Sequence, residues 1–436
     1  MSKYVINGGK PLKGEVKIPG SKNAVLPLMT AALLTDGECL LRNLPEIVDV
    51  EVMARLLEDL GAEIRFDKIG RTIAIKAGNI TKTNPDQALT SRLRASVLLV
   101  GPLLGRFGQA TLLTSGGDRI GVRPIDAHVL GLRQLGAQVE DGGEYRFTAK
   151  KLSGAKIILE ESSVTATENL MMAAVLAEGR TIIKLAAMEP HVQQLGEFLN
   201  AMGAKITGLG TTTIVIDGVE KLGGAEISVI PDSNQAATFI TMAAATRSDI
   251  RVSGINPDFM DDFLLKMKHF GVAMDLGQDY VHVHRPEGEY KGISKLQVGL
   301  YPKLASDDTP PLSVLATQAV GETMIYEWMY ENRLGYAPEL NKMGARAEIL
   351  DPHRVRIIGP TKLKGSHLVC SDIRMGMALV IAALAAEGQS EICEIHHIDR
   401  GYDNLEGQLK SLGADIRRVE ESSERAAINQ TEKQTV

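Results

Sequence analysis

Three groups of residues in this chain could do chemistry. The segment Pro19-Gly20-Ser21-Lys22-Asn23 stands directly before an apolar run that begins at Ala24. Ser21 can cap a helix there, and Lys22 can project from its positive end, where free backbone N–H groups favour anions. Taken alone, the segment reads more readily as a solvated helix start with an ordinary surface lysine. The second group is Ser115-Gly116-Gly117-Asp118-Arg119-Ile120-Gly121-Val122-Arg123-Pro124, which sets three glycines and two arginines in ten residues ahead of a helix. A flexible cationic loop can act as a lid over an anionic ligand, and a long surface turn explains the same residues equally well. The third group is scattered: Arg94, Arg333, Arg374 and Arg400 fall at or near the ends of expected elements. Singly, each reads as a surface charge, because most arginines are exposed.

Other chemistries leave no mark. There is no G-x-x-x-x-G-K-[ST] phosphate loop, no H-E-x-x-H, no G-x-S-x-G and no paired C-x-x-C, so the reading expects no metal and no organic cofactor. A formal charge of -6 over 436 residues, with no basic run longer than Arg417-Arg418, gives no sign of a nucleic-acid partner. Cys39, Cys370 and Cys393 are three cysteines without metal-ligand spacing, which reads as reduced thiols of a cytoplasmic protein. The N-terminal residues hold no apolar signal core, and no stretch approaches the roughly 18 apolar residues of a membrane helix.

The elements that must position these residues repeat. A helical pattern ending in a large apolar residue, glycine and a small residue recurs at Leu60-Gly61-Ala62, Leu135-Gly136-Ala137, Met202-Gly203-Ala204, Phe270-Gly271-Val272, Met343-Gly344-Ala345 and Leu412-Gly413-Ala414. The period is about 70 residues. Before the first of these glycines, Val52, Leu56, Leu57 and Leu60 share one helical face. After most of them comes a strand hairpin such as Glu63-Ile64-Arg65-Phe66 with Thr72-Ile73-Ala74-Ile75, and upstream lies a helix rich in small residues. Each unit therefore reads helix, strand, helix, strand, strand. The six split as three plus three, giving two similar α/β domains with helices inside and sheets outside, jointed near Val229-Ile230-Pro231-Asp232. The expected bounds are 21–231 for the first domain and 1–20 plus 232–419 for the second. Residues 420–436, rich in Glu, Ser, Gln and Thr, read as a disordered tail.

With these segments in order, residues 1–419 resemble the enolpyruvyl transferases, most closely those that act on UDP-N-acetylglucosamine. The six-unit pattern, the Gly-Ser-Lys-Asn start, the glycine-arginine loop and Asp399-Arg400-Gly401-Tyr402 occur together in family order. The resemblance implies an inverted α/β barrel fold of two three-repeat domains. It implies transfer of the enolpyruvyl group of phosphoenolpyruvate to the 3'-hydroxyl of UDP-N-acetylglucosamine with release of phosphate, the first committed step of peptidoglycan synthesis.

The same resemblance assigns roles. Lys22, Arg123 and Arg400 match the phosphoenolpyruvate contacts, with Arg333 and Arg374 nearby. Guanidinium forks suit a ligand that carries both a phosphate and a carboxylate. Asn23, Arg94, the run Arg123-Pro124-Ile125-Asp126-Ala127 with His128, and Ser163-Val164-Thr165 match positions that hold the UDP-sugar, and Asp307 and Met329 match its remaining contacts. Asp307 would take the proton of the attacking hydroxyl. Asp118 stands where the family usually carries a lid cysteine, in the place of the acid that protonates C3 of phosphoenolpyruvate, which implies resistance to fosfomycin. An ordinary carboxyl, with a pKa near ~4, is ionised at neutral pH, so an acid in that place must be kept protonated. Leu98 replaces a frequent tryptophan, Glu161 a common lysine, and Ser306-Asp307-Asp308-Thr309-Pro310-Pro311 a more polar stretch. Two further possibilities stay open at this point: another acceptor such as shikimate 3-phosphate, and an idle paralogue that binds UDP-sugar and regulates wall synthesis. Nucleotide sugar is expected to order the lid and draw the two halves together.

Overall fold

The computed structural model describes residues 2–113, 117, 118 and 120–420. It divides into two compact units, one of Pro19–Gly117 with Arg123–Asp232, the other of Met1–Ile18, Asp118–Val122 and Ser233–Val436. Each has its own apolar core.

In the unit that starts at Pro19, the helices Lys22–Ala31, Val100–Phe107 and Val164–Ala174 form the centre. They are built from Ala, Leu, Val and Met and are buried on nearly every side, which a helix without a polar stripe requires. The helices Val48–Leu60, Asp126–Gln134 and Pro190–Ala201 are amphipathic and cover that centre. Val52, Leu56, Leu57 and Leu60 are all buried. Gly61 ends its helix at φ 108°, and its N–H reaches the carbonyls of Glu58 and Leu57. A side chain is costly in that left-handed conformation, and the glycines of the other five repeats also hold positive φ.

Three sheets belong to this unit. Glu38–Arg42 pairs antiparallel with Thr72–Lys76, which pairs with Glu63–Asp67, so that Cys39 faces Ile75 and Leu41 faces Ile73. These four side chains turn inward and are fully buried, while Glu38, Arg42 and Lys76 stay exposed, the period-2 division of a sheet with one wet face. Arg180–Lys184 with Thr213–Asp217 and Lys205–Thr207 repeats the plan, as does Gln109–Leu112 with Tyr145–Thr148 and Gln138–Asp141.

The second unit follows the same scheme with the buried helices Ser233–Ala245, Thr309–Thr317 and Ile373–Ala385. Two details go beyond the repeat read from the sequence. Among the described residues, five of the six sheets carry a further parallel edge strand, as where Lys13–Lys17 joins Asp249–Ser253 and Glu226–Ser228 joins Glu38–Arg42. Among the described residues, the last repeat has no second hairpin strand of its own. The N-terminal strand Ser2–Asn7 takes that place between Asp415–Glu420 and Gln389–Cys393. Segments far apart in the sequence thus complete the sheet, their backbones paired in register from Ser2 with Glu420 to Asn7 with Asp415. No described helix is long and apolar enough to cross a membrane.

Candidate active site

In the unit that starts at Pro19, Ser21 accepts a hydrogen bond from the N–H of Ala24 at 3.4 Å and so caps the helix Lys22–Ala31. The N–H of Lys22 donates to Asp232 Oδ2 at 3.0 Å. The ammonium of Lys22 does not stand free in solvent. It lies 3.3 Å from Asp49 Oδ2, an aspartate in the first turn of Val48–Leu60 that is only 2% exposed. Asn23 is half-buried beside it.

The Arg94 guanidinium donates to the carbonyl oxygen of Arg123 and, at 3.5 Å, to that of Pro124. It therefore clamps the chain just ahead of the helix Asp126–Gln134. Gly117 crosses Arg94 closely: a Cβ at its φ of 113° would fall 2.7 Å from Arg94 Cβ, so only glycine fits there. Within the run quoted from the sequence, Ile125, Ala127 and His128 are buried, whereas Pro124 and Asp126 are exposed and Arg123 is half-buried. Ile125 and Ala127 serve the core.

The protonation state of His128 can be derived from its neighbours. Asn169 Oδ1 accepts from the Gly101 N–H at 2.7 Å, and its Nδ2 donates to the Val97 carbonyl at 2.8 Å. The amide orientation is thereby fixed, and the same Nδ2 donates to His128 Nδ1 at 2.9 Å. His128 Nδ1 is thus the acceptor and Nε2 carries the proton, facing Thr165 Oγ1 at 3.0 Å. Burial first, and the charge of Arg94 second, push the pKa of His128 down to about 3. The ring is a neutral donor throughout the physiological range. Ser163 caps the helix Val164–Ala174 through Ala166 N–H at 3.4 Å. One turn along that helix, Glu168 is buried, and desolvation followed by the charge of Glu189 holds its carboxyl well above the usual range.

The other unit gathers a second set. Asp307, in the short turn Ser306–Asp308, receives Arg333 Nη2 on Oδ1 at 2.8 Å. Its Oδ2 receives Arg374 Nε at 2.9 Å and Asn234 Nδ2 at 3.0 Å. Arg333 also donates to Ser306 Oγ at 3.1 Å and lies 3.7 Å from Asp372. Arg374 Nη1 donates to the Tyr402 hydroxyl at 3.3 Å, which in turn shares a proton with Thr238 Oγ1 at 2.8 Å. Arg333 and Arg374, read singly as surface charges, are 2% and 5% exposed. A buried guanidinium is tolerable only when paired, and Asp307 and Asp372 supply the pairing. Met329 is tied through its N–H to Glu327 Oε1 at 3.1 Å. Burial raises the Glu327 carboxyl, an effect that its hydrogen bond with Ser306 and the nearby charge of Arg333 only partly offset.

Asp118 is paired as well: Arg400 Nη1 donates to its Oδ1 at 2.5 Å, with both side chains about 85% covered. Of the expected lid, Ser115, Gly116 and Arg119 lie outside the described residues. Asp49, Asn169, Asn234, Asp372 and Tyr402 escaped the sequence reading as functional partners. Only Asp372 and Tyr402 had a signal, Asp372 standing two residues before Arg374 and Tyr402 closing the segment Asp399-Arg400-Gly401-Tyr402.

Residues 6–409 match the family model described as EPSP synthase (3-phosphoshikimate 1-carboxyvinyltransferase). This chain belongs to the enolpyruvyl transferase family. As an enolpyruvyl transferase it is 43% identical to UDP-N-acetylglucosamine 1-carboxyvinyltransferase 3 of Caldanaerobacter subterraneus, over 97% of this chain and 100% of that one. It is 42% identical to UDP-N-acetylglucosamine 1-carboxyvinyltransferase of Treponema denticola, over 95% and 99%. Among solved structures, the enolpyruvyl transferase NikO from Streptomyces tendae superposes with a TM-score of 0.87 at 26% identity, covering 96% of this chain and 99% of that one. EPSP synthase from Acinetobacter baumannii superposes with a TM-score of 0.76 at 20% identity, over 96% and 100%, a likeness of fold. The inverted α/β barrel architecture expected from the sequence is the fold of this enolpyruvyl transferase.

Proposed function

We propose that this enolpyruvyl transferase acts in the cytoplasm, moving the enolpyruvyl group of phosphoenolpyruvate to the 3'-hydroxyl of UDP-N-acetylglucosamine and releasing phosphate, the first committed step of peptidoglycan synthesis. The observation that carries this reading is the near full-length likeness, above 40% identity, to relatives named for that reaction.

The roles divide between the two units. Neutral His128, with Asn23, Arg94, Arg123, Pro124, Ile125, Asp126, Ala127, Ser163, Val164 and Thr165, holds the nucleotide sugar, to which Met329 and Asp307 add contacts. Ile125 and Ala127 act through their backbone, their side chains being buried in the core. Lys22, Arg123 and Arg400 bind the phosphate and carboxylate of phosphoenolpyruvate, and Arg333 and Arg374 position Asp307. In the addition step the acceptor oxygen forms a bond to C2 of phosphoenolpyruvate, Asp307 takes the hydroxyl proton, and Asp118 delivers a proton to C3. In the elimination step C3 returns a proton, the C2–O bond to phosphate breaks, and the enol ether forms.

The Asp118–Arg400 pair gives that sequence an order. Arg400 Nη1 holds Asp118 Oδ1 at 2.5 Å, so this carboxyl is engaged until the substrate phosphate takes the guanidinium and releases it toward C3. A phosphate-release assay tests the function: turnover with phosphoenolpyruvate plus UDP-N-acetylglucosamine is expected. Turnover only with shikimate 3-phosphate, or none with either acceptor, would overturn it.

A further inference from the structure

The second unit carries a cluster that this reaction does not use. In the sheet built on Asp249–Ser253, Tyr280–Val283 and Met274–Leu276, Val281 and Val283 point into the core and are fully buried. Strand alternation therefore turns His282 and His284 together to the outer face. Asp275 sits opposite His282 on one side, and Asp249 lies at the start of the strand on the other.

The contacts among these four residues have a definite arrangement. His282 Nε2 lies 3.1 Å from Asp249 Oδ1, and His284 Nδ1 lies 4.0 Å from Asp249 Oδ2. Both imidazoles thus present a nitrogen to one carboxylate, with ring centroids 4.4 Å apart. The other nitrogen of His284, Nε2, is 2.8 Å from Asp275 Oδ2. A carboxylate on the far nitrogen is the support that fixes the tautomer of a metal-ligating histidine and leaves the near nitrogen free to bind. Arg251, the strand neighbour of His282, is drawn aside. Its guanidinium lies 3.4 Å from the Tyr280 ring centroid and 3.9 Å from Glu15.

We infer that Asp249, His282 and His284 form a site for a divalent first-row transition metal, zinc above all, clipping adjacent strands of this sheet outside the reaction centre, with Asp275 orienting His284. Two imidazoles and a carboxylate are an N,N,O set suited to zinc, and water can take the fourth tetrahedral place on the exposed side. The candidate ligand atoms already lie within 4.8 Å of one another. Zinc bonds of roughly 2.0–2.2 Å require them to draw in by about 1 Å, within reach of partly exposed side chains. Lys13, on the strand beside Asp249, is a cation that opposes the ion there, and it lowers affinity without blocking the ligand atoms. Neutral imidazoles are needed, so binding weakens as the solution becomes acidic.

The test is calorimetric titration of the chelator-stripped full chain with zinc chloride, repeated with cobalt chloride for its visible absorption. One site of micromolar strength is expected, with a rise in the thermal midpoint. Asp249→Asn and the double substitution His282→Ala with His284→Ala should each weaken it at least tenfold, while metal-free urea midpoints and enolpyruvyl turnover stay at wild-type values. Equal zinc affinity in wild type and double variant would overturn the inference. So would loss of the ion on Cys393→Ser, because Cys393 Sγ lies 3.8 Å from His367 Nε2 and would then be the true ligand.

Discussion

Replacing Asn169 by alanine removes three buried hydrogen bonds at once, to the Gly101 N–H, the Val97 carbonyl and His128 Nδ1. Asn169 is fully buried, so water does not reach these groups without local rearrangement. Each group left unpaired costs about 1–3 kcal/mol. Partial relaxation brings the expected total to about 3–5 kcal/mol, a large share of a stability of roughly 5–15 kcal/mol. A second effect falls on the His128 ring, which loses its anchor and, with it, the fixed aim of its Nε2 proton at Thr165. If that proton serves the nucleotide sugar, a bond worth about 1 kcal/mol is lost and KM for UDP-N-acetylglucosamine rises roughly fivefold. Equilibrium urea unfolding measures the first effect and steady-state kinetics with saturating phosphoenolpyruvate the second. Asn169→Asp separates charge from geometry. It can still accept from Gly101, but it places an anion against Nδ1 and should make His128 a cation, seen by imidazole NMR. Wild-type His128, with its pKa near 3, should not titrate between pH 5 and 8. An Asn169→Ala stability within about 0.5 kcal/mol of wild type, or a wild-type His128 that titrates in that window, would refute the reasoning.

Other outcomes follow from the same contacts. Wild-type protein should form no adduct with fosfomycin in the presence of UDP-N-acetylglucosamine, because a carboxylate is a far weaker nucleophile toward an epoxide than a thiolate. Asp118→Cys should be alkylated with time; intact-protein mass spectrometry reads both, and an adduct on the wild-type lid would remove Asp118 as the source of resistance. Burial, and then the charge of Glu189, hold the folded-state pKa of Glu168 well above the ordinary 4.5 of a glutamate. Above pH 4.5 the unfolded chain releases this proton while the folded one keeps it, so wild-type stability falls as pH rises through that window. Glu168→Gln has no such proton, and its stability relative to wild type should grow as pH rises above the ordinary carboxyl range in urea unfolding; a pH-independent difference would show that Glu168 is ionised in the fold. Arg333→Lys keeps the charge but loses the fork that reaches Ser306, Asp307 and Asp372. A stability loss of about 2–4 kcal/mol and a reduced kcat are expected, and an unchanged kcat would deny Arg333 a positioning role.

Features that depend on near neighbours along the chain were legible from the residues alone. The six glycines mark helix ends because left-handed backbone is a local property, and all six hold positive φ. Val52, Leu56, Leu57 and Leu60 face the core because helical periodicity is local as well. Ser21 caps its helix as its position suggests. What the tertiary structure alone decided are pairings across long stretches of chain. Nothing near Lys22 in the sequence names Asp49 as its counter-ion, and nothing near His128 names Asn169, which fixes its proton. Arg333 and Arg374 look like surface charges until the fold buries both guanidiniums and brings Asp307 between them. Asp249 stands 33 residues from His282 and meets it only because two strands pair in register. Local physics writes the elements, but ion pairs, tautomers and ligand sets depend on which elements touch, and that is settled by burying one face of each against the others.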